Sequence, residues 1–239
     1  MPYLAAAVLL LLGINFYPQR VKSFREVKKL RAPLATFTFD DGLVSDYLVM
    51  LPVFQAKGVV ATSSVPSDLV GDSGRMTSLQ LEALETAGWE IVSHAQTHTC
   101  GDNQVIIDEA APSLATLQGL GLSVESFAYP CGTGASVASV RSAVSAAGYR
   151  AARGVTPDVN LYPLDRWSLK AINGDDPALA SQYQAWIDTT NRSNGWLIFY
   201  IHGTDAADAI AIGALLDYCA AQGVRVVTMR TALTSFDIP

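Results

Sequence analysis

Five side chains that could do chemistry, two aspartates and all three histidines of the chain, stand where apolar runs stop. Thr38-Phe-Asp-Asp-Gly42 sets Asp40 beside Asp41 at the end of the run Leu34 to Phe39. Two carboxylates this close repel one another unless a cation, a proton or hydrogen bonds compensate them. The pair is therefore either a charged site at a strand edge or an ordinary Asp-Asp-Gly turn that caps the next helix. Ser93-His94-Ala-Gln-Thr-His98 follows another short apolar run and spaces two imidazoles four residues apart. That spacing lets both rings converge on one point. Alone it is more often a surface or hydrogen-bonded pair, but with a carboxylate at another strand end it suits Zn²⁺, Co²⁺ or a similar ion. His202 closes Ile198-Phe-Tyr-Ile-His202 ahead of Gly203, a position for a general acid or a further ligand.

The elements that must carry these residues follow from periodicity. Leu34–Phe39 reads as a buried strand, 59–65 as a second, 89–93 as a third and 127–129 as a fourth. Short strands are predicted near 150–154 and 167–172, then a strongly apolar one at 196–202 and a last one at 224–229. Helical spacing runs through 46–57 to Gly58, and Thr77-Ser-Leu-Gln80 opens a helix with a capping-box pattern. Further helices are predicted at 108–119, with Pro112 near the first turn, and at 136–148, 179–190 and 206–222. Strand and helix alternate at short intervals, which predicts an α/β fold. Its mostly parallel sheet of seven or eight strands would close, or nearly close, into a distorted (β/α) barrel. Parallel α/β folds place their chemistry at the C-terminal edge of the strands, where Asp40, Asp41, His94 and His202 stand.

Taken in order, these segments resemble the motifs of the NodB-type polysaccharide deacetylases, carbohydrate esterase family four. Thr38-Phe-Asp-Asp-Gly42 resembles the first motif, and Gly88-Trp-Glu-Ile-Val-Ser-His94-Ala-Gln-Thr-His98 the second with its lead-in. Phe127-Ala-Tyr-Pro130-Cys-Gly132 resembles the third, Asp165-Arg-Trp167 the fourth and Ile198-Phe-Tyr-Ile-His202 the fifth. The resemblance implies that Asp41, His94 and His98 hold one divalent metal ion, zinc first, with cobalt or nickel as alternatives. It implies Asp40 as the general base toward an attacking water and His202 as the acid for the leaving amine. The backbone N–H of Cys131 would help stabilise the oxyanion. Tyr129, Pro130, Trp167 and Trp196 are candidates for the walls of a sugar subsite, although the aromatic ones fit core packing equally well.

Two departures from the family pattern stand out. Many members carry an arginine two residues before the third-motif proline, paired with the base; here that residue is Ala128. Arg166 of the fourth motif is the expected replacement, its planar fork orienting Asp40 and keeping it ionised; the alternative is a structural Arg166 paired with Asp165 or a loop carboxylate. The aromatic that often follows the proline is Cys131 here, which leaves a backbone N–H at that place unchanged.

Charge and the ends of the chain narrow the function classes. The 239 residues are half hydrophobic and carry a net charge of −6. Residues 1–31 hold six basic side chains and one acidic, which leaves ten basic and 21 acidic, a balance of −11, for 32–239. Nucleic acid is thus a poor partner for the body, whereas a neutral or cationic sugar polymer is not excluded. Residues 1–17 carry no charged side chain and include Leu4-Ala-Ala-Ala-Val-Leu-Leu-Leu-Leu12, the length of a signal core and marginal for a membrane span. No Lys or Arg precedes the run, and the basic cluster follows it, against the usual order for secretion. The expected organisation is a hydrophobic segment 1–17, a basic connector 18–33 and one catalytic domain over 34–239. That protein would be a monomer, extracytoplasmic, either secreted or tethered to a membrane through 1–17; the alternative for 1–17 is a helix that packs on the body, or an incompletely defined start. Three cysteines make no disulfide framework. A single Cys100–Cys131 bridge is left open, and Cys219 reads as a buried thiol.

The expected activity is metal-dependent removal of N-acetyl groups from N-acetylhexosamine units of a polysaccharide: peptidoglycan, a chitin-like chain or poly-N-acetylglucosamine. Two alternatives are an O-acetyl esterase acting on a polymer such as acetylxylan, and a catalytically silent barrel that only binds carbohydrate.

Overall fold

The computed structural model describes residues 32–236. The readings of segment 1–17 and of the connector as far as residue 31 lie outside the described residues. Eight strands form one sheet: β1 (Leu34–Phe39), β2 (Thr62–Val65), β3 (Glu90–Ser93), β4 (Ser126–Ala128), β5 (Ala151–Arg153), β6 (Ile172–Asn173), β7 (Trp196–Ile201) and β8 (Arg225–Val226). Their order is β5-β4-β3-β2-β1-β7-β6, with β8 also pairing β1, and every ladder is parallel. Between β5 and β6 an isolated parallel bridge, Arg153 to Leu169, stands where a barrel would have a ladder. The result is the curled, deformed α/β barrel that the alternation predicts.

Both faces of the sheet are buried, which is why its strands read as continuous apolar runs. The outer face packs on helices through Phe37, Phe39, Phe54, Trp89 and Phe199, with the Phe37 and Phe199 rings stacked at 4.7 Å. The inner face follows the two-residue period of a strand. On β1 that period sets Leu34, Thr36, Thr38 and then Asp40 on one side; on β7 it sets Trp196, Ile198, Tyr200 and then His202. The lower interior is apolar and closed by Met229, Leu233 and Phe236. One carboxyl is buried at the lower end, Glu90 at the start of β3, which accepts from Arg230 N–H at 2.6 Å; the aspartates and histidines that could do chemistry stand at the upper end, where the strands stop.

The helices are α1 (Leu51–Lys57), α2 (Ser78–Thr86), α3 (Asn103–Gly119), α4 (Ala138–Ala146), α5 (Ala180–Ser193), α6 (Ala206–Ala221) and α7 (Met229–Ser235). A π-helical turn, Asp46–Met50, leads into α1, which ends at Gly58 with φ 65°. The capping box of Thr77 and Gln80 is formed. Helix α3 begins at 103 rather than 108, because the Asp102 carboxylate accepts from the N–H groups of Gln104 and Val105. Pro112 consequently lies inside it. The strand predicted at 167–172 shrinks to Ile172–Asn173; residues 166–169 instead lean on β5 through Ala152 N–H to Arg166 O at 2.7 Å and Leu169 N–H to Ala152 O at 2.9 Å. The final strand stops at Val226, and Thr228 caps α7 by accepting from Thr231 N–H.

Candidate active site at the C-terminal edge of the barrel

Asp40 is the first residue past β1, and its N–H donates to Ile201 O at 2.8 Å, so β1 and β7 deliver Asp40 and His202 to the same rim. The Asp40 side chain is 3% exposed, and a buried carboxylate needs a partner. That partner is Arg153, the last residue of β5 and wholly buried: its Nη2 donates to Oδ1 at 2.5 Å and Oδ2 at 2.6 Å. Burial alone would raise the Asp40 carboxyl. Arg153 first, and then His94, outweigh it and hold the group below its ordinary value. Arg153 Nε and Nη1 have no hydrogen-bond partner, and the guanidinium carbon lies 5.5 Å from the Tyr200 ring centroid.

This corrects the reading of Arg166. Its guanidinium sits over the Trp167 ring at 4.9 Å, and its carbonyl is tied to β5. Arg153 takes the role because it is the register partner of Ala128 on the neighbouring strand. The position that lacks the arginine and the position that supplies it lie side by side, and the alanine methyl leaves room for the longer chain. The sequence signal was a charge ending a short apolar strand, Ala151-Ala-Arg153, on the same face as Asp40.

Asp41 turns the other way. It adopts φ 75°, a left-handed conformation costly for a residue with a Cβ. Arg75 offsets that cost, since its Nη1 donates to Asp41 O and stands 3.8 Å from Oδ2. The second carboxylate oxygen, Oδ1, is buried with no hydrogen-bond partner. It lies 3.2 Å from His98 Nε2 and 3.8 Å from His94 Nε2. His94 follows β3, and its Nδ1 is 2.7 Å from Ala128 O. A carbonyl only accepts, so Nδ1 carries the proton and Nε2 presents a lone pair. Burial pushes His94 down to about 4, the neutral form that a ligand requires. The loop onward to His98 is pinned by Glu109 of α3, which accepts from Gln96 N–H at 2.9 Å and Thr97 N–H at 3.0 Å.

These three residues fit a divalent cation. An orphaned carboxylate oxygen faces two imidazole nitrogens, and the three ligand atoms lie within 4.8 Å of one another. One carboxylate and two imidazoles form a ligand set for zinc or a neighbouring metal.

On the opposite side of Asp40 stands His202, whose side chain is 39% exposed. Its backbone N–H donates to Asp175 Oδ1 at 2.7 Å and its Nδ1 lies 3.0 Å from Asp175 Oδ2. That hydrogen bond raises the imidazole above its ordinary value, with Asp40 and Asp41 adding to the effect. Asp175, in the loop after β6, was not singled out from sequence; Asn173-Gly-Asp-Asp176 looked like any polar turn.

The remaining candidates divide. Cys131 lies at the rim in a 3₁₀ turn, Pro130–Gly132, with φ 52°, and is bridged to Cys100. Cys219 is a buried free thiol. Trp167 stays half-buried beneath Arg166. Trp196 does not line a sugar subsite: it is wholly buried at the closed lower end, its Nε1–H donating to Thr36 Oγ1 at 2.9 Å. Tyr129 and Pro130 are buried too, the tyrosine hydroxyl donating to Trp167 O at 3.1 Å. Packing took up both aromatics, Trp196 on the inner face and Tyr129 in the core that faces the helices.

The family model for polysaccharide deacetylases matches residues 28–152. No curated protein matches the sequence. Among solved structures, a family 4 carbohydrate esterase from Streptomyces lividans in complex with acetate shares 18% identity at a TM-score of 0.58, covering 82% of this chain and 92% of that one. The Streptococcus pyogenes deacetylase PplD in complex with acetate shares 21% identity at a TM-score of 0.53, over 57% of this chain and 62% of that one. A family 4 pseudoenzyme from Bacillus anthracis shares 15% identity at a TM-score of 0.57, over 84% of this chain and 66% of that one. At such identities the likeness is one of fold, and the fold alone hosts both active and inactive members.

Proposed function

Because this chain belongs to the polysaccharide deacetylase family, we propose that it is an active, divalent-metal-dependent hydrolase that removes N-acetyl groups from N-acetylhexosamine units of a polysaccharide. One observation carries this reading beyond the family. Asp40, paired with Arg153 and held ionised, stands next to a second carboxylate whose free oxygen faces two imidazoles. A barrel that merely bound sugar would gain nothing from burying that much charge.

Asp41, His94 and His98 would hold the ion, zinc by preference, with cobalt or nickel as substitutes. Bound there, it would supply Lewis acidity toward the acetyl carbonyl and would make water more acidic. Asp40 accepts the proton of the water that attacks the acetyl carbon, and Arg153 keeps it in the form that can. The N–H of Cys131 donates to the oxyanion as the carbonyl becomes tetrahedral. His202, protonated and oriented through Nδ1 by Asp175, delivers the proton that lets the amine leave from its Nε2. The division of labour explains how adjacent carboxylates coexist: Asp41 turns to the two imidazoles, as a ligand would, and Asp40 is paired with Arg153, as a base kept ionised would be.

Among the described residues no helix is long and apolar enough to cross a membrane. The Cys100–Cys131 bridge supports an extracytoplasmic, oxidising location for the domain 34–239. The test is acetate release by metal-stripped protein with single ions restored, on N-acetylated glucosamine polymers and on O-acetylated xylan. Release from the N-acetyl polymers on adding zinc or cobalt is the expected result. Release from xylan alone would make the protein an ester hydrolase, and no release with any ion would make it a silent binder.

A further inference from the structure

We propose that reducing the Cys100–Cys131 disulfide uncovers a second, thiophilic metal site made of His98, Cys100 and Cys131, which competes with the first for His98. This rests on the ligand set read above, because His98 belongs to both groups. The ligand atoms of His98, Cys100 and Cys131 lie within 4.8 Å of one another, as do those of Asp41, His94 and His98. The bridge therefore stands beside the metal set, at the loop that carries its third ligand.

The sulfurs remain together when their bond is broken. A second tie joins the same two loops: Gly101 N–H donates to Thr133 Oγ1 at 2.8 Å. The His94–His98 loop is held independently by Glu109, and the two cysteine Cα atoms lie 5.6 Å apart. Both cysteines are exposed, so a small reductant reaches them, whereas Cys219 is buried in α6. Exchange with a dithiol conserves atoms and electrons. The disulfide takes two electrons and two protons to become two thiols, and the dithiol becomes a cyclic disulfide. Binding a divalent ion then releases the two thiol protons.

Two thiolates with one imidazole are a complete three-ligand set for zinc, and softer than one carboxylate with two imidazoles. Zinc, cobalt or cadmium would thus move toward the sulfurs, taking His98 with it and leaving Asp41 and His94 one ligand short. In the oxidised protein the sulfurs are held in their mutual bond and His98 is left to the first set. The bridge reserves His98 for catalysis, besides fixing the turn that presents the Cys131 N–H.

Cobalt(II) alone is the probe, titrated into metal-stripped full-length protein, either oxidised or reduced with a phosphine that is then removed. Thiolate-to-cobalt charge transfer in the near ultraviolet reads sulfur ligation without reference to activity. Expected are one equivalent without that band in the oxidised protein, and one equivalent with it in the reduced protein. The band is lost in the Cys100→Ser/Cys131→Ser double variant, which retains Cys219. Alkylating the two exposed thiols of reduced wild-type protein must abolish it too, a control that needs no variant to fold. Reduced protein that binds cobalt without the band would overturn the site. Two equivalents bound together would overturn the sharing of His98. Either failure leaves acetate release by the oxidised protein untouched, so it is distinct from failure of the deacetylase reading; conversely, a silent binder would still show the band.

Discussion

The two halves of the site to which we assign proton transfer are built in opposite ways. Asp40 is buried, gripped by Arg153 and flanked by His94; its carboxyl is held below the ordinary value against the pull of burial. His202 is 39% exposed, leans on Asp175 through one hydrogen bond, and is raised above the ordinary imidazole. One half is buried and shifted toward the ionised form that an acceptor needs; the other is open to solvent and shifted toward the protonated form that a donor needs. Two titratable groups driven apart by their surroundings are what acid–base catalysis near neutral pH requires. The contrast also says where each half is fragile: the buried half in its charge pairing, the open half in its pH range.

The largest effect should come from the base itself. Asp40→Asn keeps the shape and removes the acceptor, so acetate release should fall by about a thousandfold. The metal content, measured on the same preparation, should be unchanged. Retained activity in the Asp40→Asn enzyme would end the assignment; loss of its metal would make Asp40 a ligand. His202→Ala should cost about a hundredfold, less because solvent can supply a proton to an open site.

Arg153 comes next, and here stability is at stake as well as rate. Arg153→Ala leaves a buried carboxylate without its cation, a defect worth about 3–5 kcal/mol. Thermal or denaturant unfolding should show that loss alongside a fall in turnover. Adding Ala128→Arg should recover both in part, because the two positions are register partners on adjacent strands. If the double variant is no better than Arg153→Ala, the exchange between strands is refuted.

That exchange marks the limit of what sequence could reveal. The alternation of strand and helix was legible, and so was the meeting of Asp40, Asp41, His94, His98 and His202 at one edge, because they cluster where apolar runs end. Parallel pairing then carries all such ends to one edge. The partner of Asp40 was not legible, because it depends on which strand lies beside β4. A neighbour in the sequence motif, Arg166, looked as suitable as Arg153, yet only the latter shares the inner face with Asp40. Asp175 was missed for a related reason: a loop carboxylate gains meaning only from the strand that it meets. The aromatic candidates failed differently. Trp196 and Tyr129 have amphipathic rings that suit sugar or core equally, and the face each occupies, together with its depth, decided for the core.

The open half yields a smaller, pH-dependent effect. The hydrogen bond to Asp175 raises His202, so its protonated form persists above the ordinary value of 6.5 and is lost as pH rises through the raised one. Turnover should decline along that limb. Asp175→Asn removes the anionic acceptor, which lets the imidazole fall back and moves the limb to lower pH. At neutral pH the loss should be about tenfold, and it should shrink in acid. The linked stability has the same sign: the raised histidine stabilises the fold below 6.5, and that contribution disappears as pH climbs through the folded value. A limb that stays in place in the Asp175→Asn enzyme would mean that His202 is not the acid.

The smallest effect should belong to Arg166, and its smallness is what sharpens the comparison. It carries the same guanidinium as Arg153 and lies in the segment that resembles the family's fourth motif, but it covers the Trp167 ring at the half-exposed surface. Its carbonyl, which holds β5 through Ala152, survives any side-chain replacement. Substitutions of this kind usually stay within about 0.5 kcal/mol, so Arg166→Ala should keep turnover within about twofold and leave the pH profile in place. A large loss of kcat with Arg153 intact would show that the buried half needs a second cation. A rise in KM at constant kcat would instead assign the Arg166–Trp167 stack to the polysaccharide. Two arginines thirteen positions apart are thus distinguished by one fact of the fold: whether the side chain enters the barrel beside Asp40 or rests on its outer lip.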